Sequence, residues 1–292
     1  MVLIVALAVA TVVAGAAVAW RSRATHAPDP TEVHLGTQTA QHAVAEHPSF
    51  RRLLRRRVDP TKATGLALTV AASLAVLGAL VVGTVLEMVQ RHAGLASLDD
   101  SAARFGVHHR TPFGERLLSW LTQLGSTKVI IPLALVIAIA EHRRRPTRQV
   151  VPFLAVAIGG TLAINNLVKA LVGRARPDIA RVVGAAGSSF PSGHSSNAAV
   201  TYAALALVLG RGRSHRVKAA LASTAAMVAT AVATSRVLLG VHWLTDVVAG
   251  LGLGWGWFAV SSIVFGGRLL QFGRPVAKLE EQAARSVGAA PG

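Results

Sequence analysis

Cysteine is absent from the 292 residues. A disulfide framework, a thiolate metal site and a cysteine nucleophile are therefore excluded from whatever chemistry the chain performs. Acids are scarce as well. Thirteen Asp and Glu stand against 30 Lys and Arg, and between Glu141 and Glu280 the only acids are Asp178 and Asp246. That stretch offers no carboxylate cluster for a divalent cation. Charge of either sign is low, 15% of residues, while 52% are hydrophobic and the mean hydropathy is +0.50. Ordinary water-soluble domains do not reach this combination, so lipid is the solvent for most of the chain. No internal repeat of the kind transporters carry is visible.

What is present is a series of apolar runs. Stretches long enough to cross roughly 30 Å of hydrocarbon lie near 2–20, 64–89, 123–141, 149–172, 194–210, 219–239 and 242–265. Lys128 and Pro132 interrupt the third, and the residues before it, Phe113 to Leu124, read as an interfacial helix anchored by Trp120. The expected fold is all-α: a polytopic transmembrane helix bundle with a six-span core, 64–265, plus one extra N-terminal span. Residues 1–22 read as a transmembrane segment or signal anchor, because no basic residue precedes the apolar run and Arg21 and Arg23 follow it. Residues 23–63 form a basic cytoplasmic linker, and 266–292 a cytoplasmic tail.

A formal charge of +17 would suggest nucleic acid in a soluble protein. Here the basic residues sit between apolar runs, so the charge marks topology and anionic headgroups rather than a nucleic-acid partner. Twenty of the 30 fall in alternate connections, 21–62, 141–148, 211–218 and the tail after 266. Those connections are expected in the cytoplasm, with the C-terminus among them and the N-terminus outside. The expected location is the plasma membrane, crossed several times.

Polar groups at the rim of membrane spans are costly, and three clusters of them stand out. In the first, Lys169 and Arg176 are seven residues apart, so they share a helix face if the helix persists to Pro177. Snorkelling to headgroups explains such a pair equally well. The second is Pro191, Ser192, Gly193 and His194, ahead of the fifth span, where Ser192 can cap a helix whose free N–H groups suit an anion. Taken alone it is also ordinary loop-to-helix punctuation. Asn165, Ser195, Ser196 and Asn197 add hydrogen-bonding capacity, or pack polar groups between helices. The third runs from Ser235 to Asp246, where His242 and Asp246, four apart at a helix start, can pair so that one ring nitrogen is held and the other faces outward. By alternation of the spans, all three clusters fall on the noncytoplasmic face. Independent packing roles give no reason for that coincidence.

Together the clusters resemble the tripartite signature of the type 2 phosphatidic acid phosphatase superfamily, which is related to the vanadium haloperoxidases. The chain matches K-x-x-x-x-x-x-R-P, P-S-G-H and S-R-x-x-x-x-x-H-x-x-x-D at eleven fixed positions. The resemblance spans about 64–265. It implies a metal-independent hydrolase, without cofactor, acting on a lipid phosphate or lipid pyrophosphate at the extracytoplasmic face. It also implies roles: His242 as the nucleophile that forms a phosphohistidine, Asp246 as its orienter, and His194 as the acid and then the base. Lys169, Arg176, Arg236, Ser192 and the Gly193 backbone N–H would bind the phosphate oxygens. An anion-binding or transport protein using the same cations is the alternative from another class, and a vanadate-dependent haloperoxidase the alternative among enzymes. Phosphatidic acid, phosphatidylglycerol phosphate and polyprenyl pyrophosphate all present the terminal phosphate that such motifs would hold.

Overall fold

The computed structural model describes residues 63–146, 148–178 and 187–269, and among them every regular element is a helix. The expected span at 2–20, the linker and the tail past 269 lie outside the described residues. Helix α1 (Ala63–Arg91) is followed by a 3₁₀ turn (Gly94–Leu98) and two short helices, α2 (Asp99–His108) and α3 (Pro112–Gln123). Five longer helices follow: α4 (Thr127–Arg144), α5 (Val150–Val172), α6 (Gly193–Leu209), α7 (His215–Leu238) and α8 (Leu244–Leu269).

Four stretches are long and apolar enough to cross a membrane: Val70–Arg91 of α1, all of α5, all of α7, and Leu244–Phe265 of α8. Helices α3 and α4, bent by 50° against each other, make a fifth if they are one broken span. The sixth segment of the expected core is α6, which at 17 residues rises only about 26 Å. Its environment accounts for the shortness. Helix α6 packs against α4, α5, α7 and α8, so it lies inside the bundle rather than against lipid.

Burial runs opposite to the pattern of a soluble protein. Val76, Leu77 and Leu80 of α1 are 56–60% exposed, as side chains facing hydrocarbon can be. Thr161, Asn165, Ser195, Ser196, Thr201, Arg236 and Asp246 are buried. An apolar core of Ala138, Phe153, Ile158, Val200, Leu205 and Val208 joins α4, α5 and α6 toward one end of the bundle. The polar groups gather at the other.

Glycines set how closely the helices approach. A side chain on Gly250 or Gly254 of α8 would meet the Ser192 or Ser196 carbonyl of α6 at 2.6 and 2.5 Å. On the other side of α8, Gly252 and Gly256 lie against Gly78 of α1, where an added methyl would come within 2.6 Å of the Gly252 carbonyl. Small residues thus let α8 lie in backbone contact with both neighbours, as membrane helices do where no hydrophobic effect drives association.

Candidate active site

Helix α8 begins one residue after Trp243, so His242 occupies the turn between α7 and α8 and Asp246 the first turn of α8. Both are buried, Asp246 completely. The His242 ring faces Asp246 through Nδ1, 3.3 Å from Oδ2, and Arg176 through Nε2, 3.1 Å from Nη1. A guanidinium can only donate, so Nε2 accepts and the neutral ring carries its proton on Nδ1, toward the carboxylate. The expected pairing is therefore present, with the second nitrogen's lone pair turned to a cation. Burial lowers the His242 pKa to about 4, against the opposing pull of the Asp246 hydrogen bond and charge.

Asp246 is itself held from three sides. Oδ2 also accepts from the Trp243 N–H at 3.0 Å, and Oδ1 from Arg174 Nη1 at 2.7 Å, while the Asp246 carbonyl accepts from the Ser192 N–H at 2.9 Å. This last bond ties the second motif directly to the third. Arg174 donates through Nη2 to Asp99 at 2.8 Å and lies 5.5 Å from the Trp243 ring. Asp99, at the start of α2, accepts further bonds from the Thr245 N–H at 2.9 Å and the Thr245 hydroxyl at 2.6 Å.

The cations converge, though not along one helix. Helix α5 ends at Val172, with Gly173 in the left-handed conformation at φ 62°, so the chain turns away before Arg174 and well before Pro177. The expectation that Lys169 and Arg176 share one helix face is corrected by this turn. They meet through the Ser188 carbonyl, which accepts from Lys169 Nζ at 2.6 Å and from Arg176 Nη2 at 3.3 Å. Arg176 is fixed further by the Gly187 and Val241 carbonyls, at 3.0 and 2.8 Å. Arg236, near the end of α7, is 4% exposed and donates through Nη1 to the Thr122 hydroxyl of α3 at 2.9 Å. Its Nε is buried with no hydrogen-bond partner. An unsatisfied guanidinium nitrogen of this kind suits an anionic ligand.

Ser192 stands at the N-cap position of α6, yet its side chain caps nothing; the hydroxyl accepts from Ser195 Oγ at 2.9 Å. The start of α6 is thus left without a side-chain cap, as an anion site at a helix N-terminus requires. Gly193 allows close approach, since a methyl there would touch the Asn165 amide at 3.2 Å. His194, in the first turn, has Arg236, His242, Arg176 and Lys169 as electrostatic neighbours. All eight residues expected at the site therefore lie around the ends of α5, α6, α7 and α8.

Asp99, Thr122 and Arg174 complete the arrangement and escaped the sequence reading. Asp99 and Thr122 belong to the short helices before the core, where no motif marks them. Arg174 is one of the unspecified positions inside the first motif. Its spacing two residues before Arg176 was the available signal. Among the described residues, no group of three or more His, Asp or Glu is placed to hold a metal ion.

The PAP2 superfamily model matches residues 151–269. Phosphatidylglycerophosphatase B of Bacillus subtilis is 34% identical over 160 residues, which cover 54% of this chain and 78% of that one. Decaprenylphosphoryl-5-phosphoribose phosphatase of Mycobacterium tuberculosis is 36% identical over 169 residues, 56% of this chain and 79% of that one. Lipid A 1-phosphatase of Rhizobium etli is 38% identical over 124 residues, covering 38% of this chain and 47% of its own length. Among solved structures, the transmembrane PAP2-type phosphatidylglycerolphosphate phosphatase of Bacillus subtilis superposes with a TM-score of 0.59 at 29% identity, over 68% of this chain and 96% of that one. With the three motifs assembled at one end of the bundle and two of these relatives matched over more than three quarters of their length at 34% and 36% identity, this chain belongs to the PAP2 superfamily and is a membrane phosphatase.

Proposed function

We propose that this phosphatase removes the terminal phosphate of a lipid monophosphate or pyrophosphate through a phosphohistidine on His242, at the extracytoplasmic face and without a metal ion. The observation that carries the reading is the hydrogen bonding of His242. Asp246 fixes the proton on Nδ1, which leaves Nε2 as the attacking atom, and the cation beside Nε2 is one that a phosphate oxygen would also attract. In the first step Nε2 bonds to phosphorus as the bond to the lipid oxygen breaks, and His194, which takes up a proton as the phosphate dianion binds among the cations, gives that proton to the leaving oxygen. In the second, His194 takes a proton from water, which displaces Nε2 and releases inorganic phosphate. Lys169, Arg176, Arg236, Ser192 and the Gly193 N–H hold the oxygens on which charge collects.

The lipid character of the substrate is supported by the relatives, each named for a phosphorylated lipid. The orientation rests on the basic connections, since 141–148 and 211–218 lie at the end of the bundle away from His242. With α3 and α4 taken as one broken span and α6 as a buried one, the core has six spans.

The test is phosphate release by the full chain from phosphatidic acid, phosphatidylglycerol phosphate and polyprenyl pyrophosphate, in detergent with EDTA. Release from at least one lipid is expected, together with a phosphoenzyme trapped on His242 from labelled substrate. Turnover that magnesium alone restores would overturn the metal-free mechanism. Tight lipid-phosphate binding without release, unchanged in His242→Ala, would point instead to an anion-binding or transport protein.

A further inference from the structure

At the opposite end of the bundle from His242, where α6 ends and α7 begins, a cavity of about 600 Å³ lies between α6, α7 and α8. That volume is in the range that encloses small-molecule ligands. Its depth is apolar: small residues such as Ala206, Ala222 and Ala226 leave the gap, and Trp255 and Phe258 of α8 line it. Its remaining walls carry Arg145, Arg211 and Lys218, and no lining residue is acidic. The Arg211 Nη1 is buried there without a hydrogen-bond partner. Gly212, with φ 64°, packs against the Arg145 guanidinium at the place where a side chain would begin, so the two cationic segments are fitted to each other.

We propose that this cavity binds an anionic phospholipid from the leaflet at that end, with its phosphate among Arg211, Lys218 and Arg145 and one acyl chain against Trp255 and Phe258. Three cations facing an apolar space need a counter-charge, and a buried guanidinium nitrogen needs an acceptor. A soluble anion would answer the cations and leave the apolar depth unfilled. A neutral lipid would do the reverse. Only an amphiphile carrying a negative head satisfies both, as in other basic pockets between membrane helices on the cytoplasmic side. With no histidine and no carboxylate in its lining, the cavity has no means of turning the lipid over. It is a binding site separate from the catalytic one.

The experiment is native mass spectrometry of the full chain in detergent, exchanged against an equal mixture of phosphatidylglycerol and phosphatidylcholine. Phosphatidylglycerol should be retained in at least roughly ten-fold excess, equivalent to about 1.4 kcal/mol. The double variant Arg211→Gln, Lys218→Gln should lose that preference, and Ala222→Trp should lose retained lipid with the cations intact. Phosphate release at the distant His242 site checks that both variants are folded, and benzoylphenylalanine at Ala226 should cross-link to lipid. Equal retention of the two lipids, or a preference unmoved by the double variant, would overturn the proposal. So would a cross-link from Ala226 to residues 270–292, whose Glu280 and Glu281 make the tail the competing occupant.

Discussion

Asp246 is joined to Asp99 through one guanidinium, and that linkage decides what each residue should do when changed. Arg174 bridges the two buried carboxylates and Thr245 fastens the distant one, so Asp99 acts on the reaction only by positioning Arg174 and Thr245. Asp246→Asn should lower kcat on the order of 10³- to 10⁴-fold with the fold intact, because an amide can hold the ring in the wrong tautomer. Asp99→Asn should lower kcat by roughly 10- to 100-fold, the worth of one hydrogen bond between charged groups, with KM little changed. A fall in protein yield with unchanged kcat would show instead that Asp99 serves stability alone. The His242 ring gives an independent readout. A free imidazole titrates near about 6.5, and burial brings His242 to about 4, so its ¹⁵N signals should stay those of the Nδ1–H tautomer from pH 7 to 5.5. Since Asp246 raises that value, Asp246→Asn should lower it further. The folded value lies below the unfolded one. The corresponding stability is therefore complete above about pH 6.5 and is lost as pH falls toward 4.

The elements explain which parts of the site could be read from sequence. The i, i+4 pairing of His242 with Asp246 is local, and the rim clusters follow from the ends of the apolar runs, where the structure places helix ends within a few residues. Asp99 is different. Its bond to Thr245 closes a separation of 146 residues, and nothing in an amphipathic stretch such as Asp99–His108 tells which polar residue turns inward. The course of the chain after Lys169 is hidden in the sequence for a related reason: Gly173 ends α5 in a left-handed turn, and a glycine in an apolar run also fits a continuing helix. The alternate glycines of α8 were legible as letters but not as contacts. Gly250 and Gly254 press the start of α8 against the start of α6, which is how His194 comes beside His242. Gly254→Leu should therefore separate the two helices and cost at least about 100-fold in activity, the usual result of displacing reacting groups by an ångström. Gly159→Ala, where an added methyl meets nothing within 4 Å, should leave activity unchanged. Equal losses in both variants would argue against a role for the α6–α8 contact.

Across the whole molecule, the alternation of helices places His242, Arg236 and the short helices α2 and α3 at one end, and the connections rich in arginine at the other. Single cysteines report directly on which end faces outward, because the chain has none of its own. Cysteine replacing the exposed Arg116 on α3 should react with a membrane-impermeant reagent in intact cells. Cysteine replacing the exposed Arg213, between α6 and α7, should react only after lysis. The opposite pattern would reverse the orientation and leave the chemistry of His242 unaffected. The charges gathered at the catalytic end have one more consequence. Among the described residues there, the cations Lys169, Arg174, Arg176 and Arg236 outnumber the acids Asp99 and Asp246, so with neutral histidines this end of a bundle of low polarity carries a positive field. A phosphate dianion answers that field, whether it arrives on a lipid or is left behind by one. Inorganic phosphate should accordingly compete with substrate and slow the enzyme as it accumulates, so that turnover in the cell depends on how quickly the released anion is carried away.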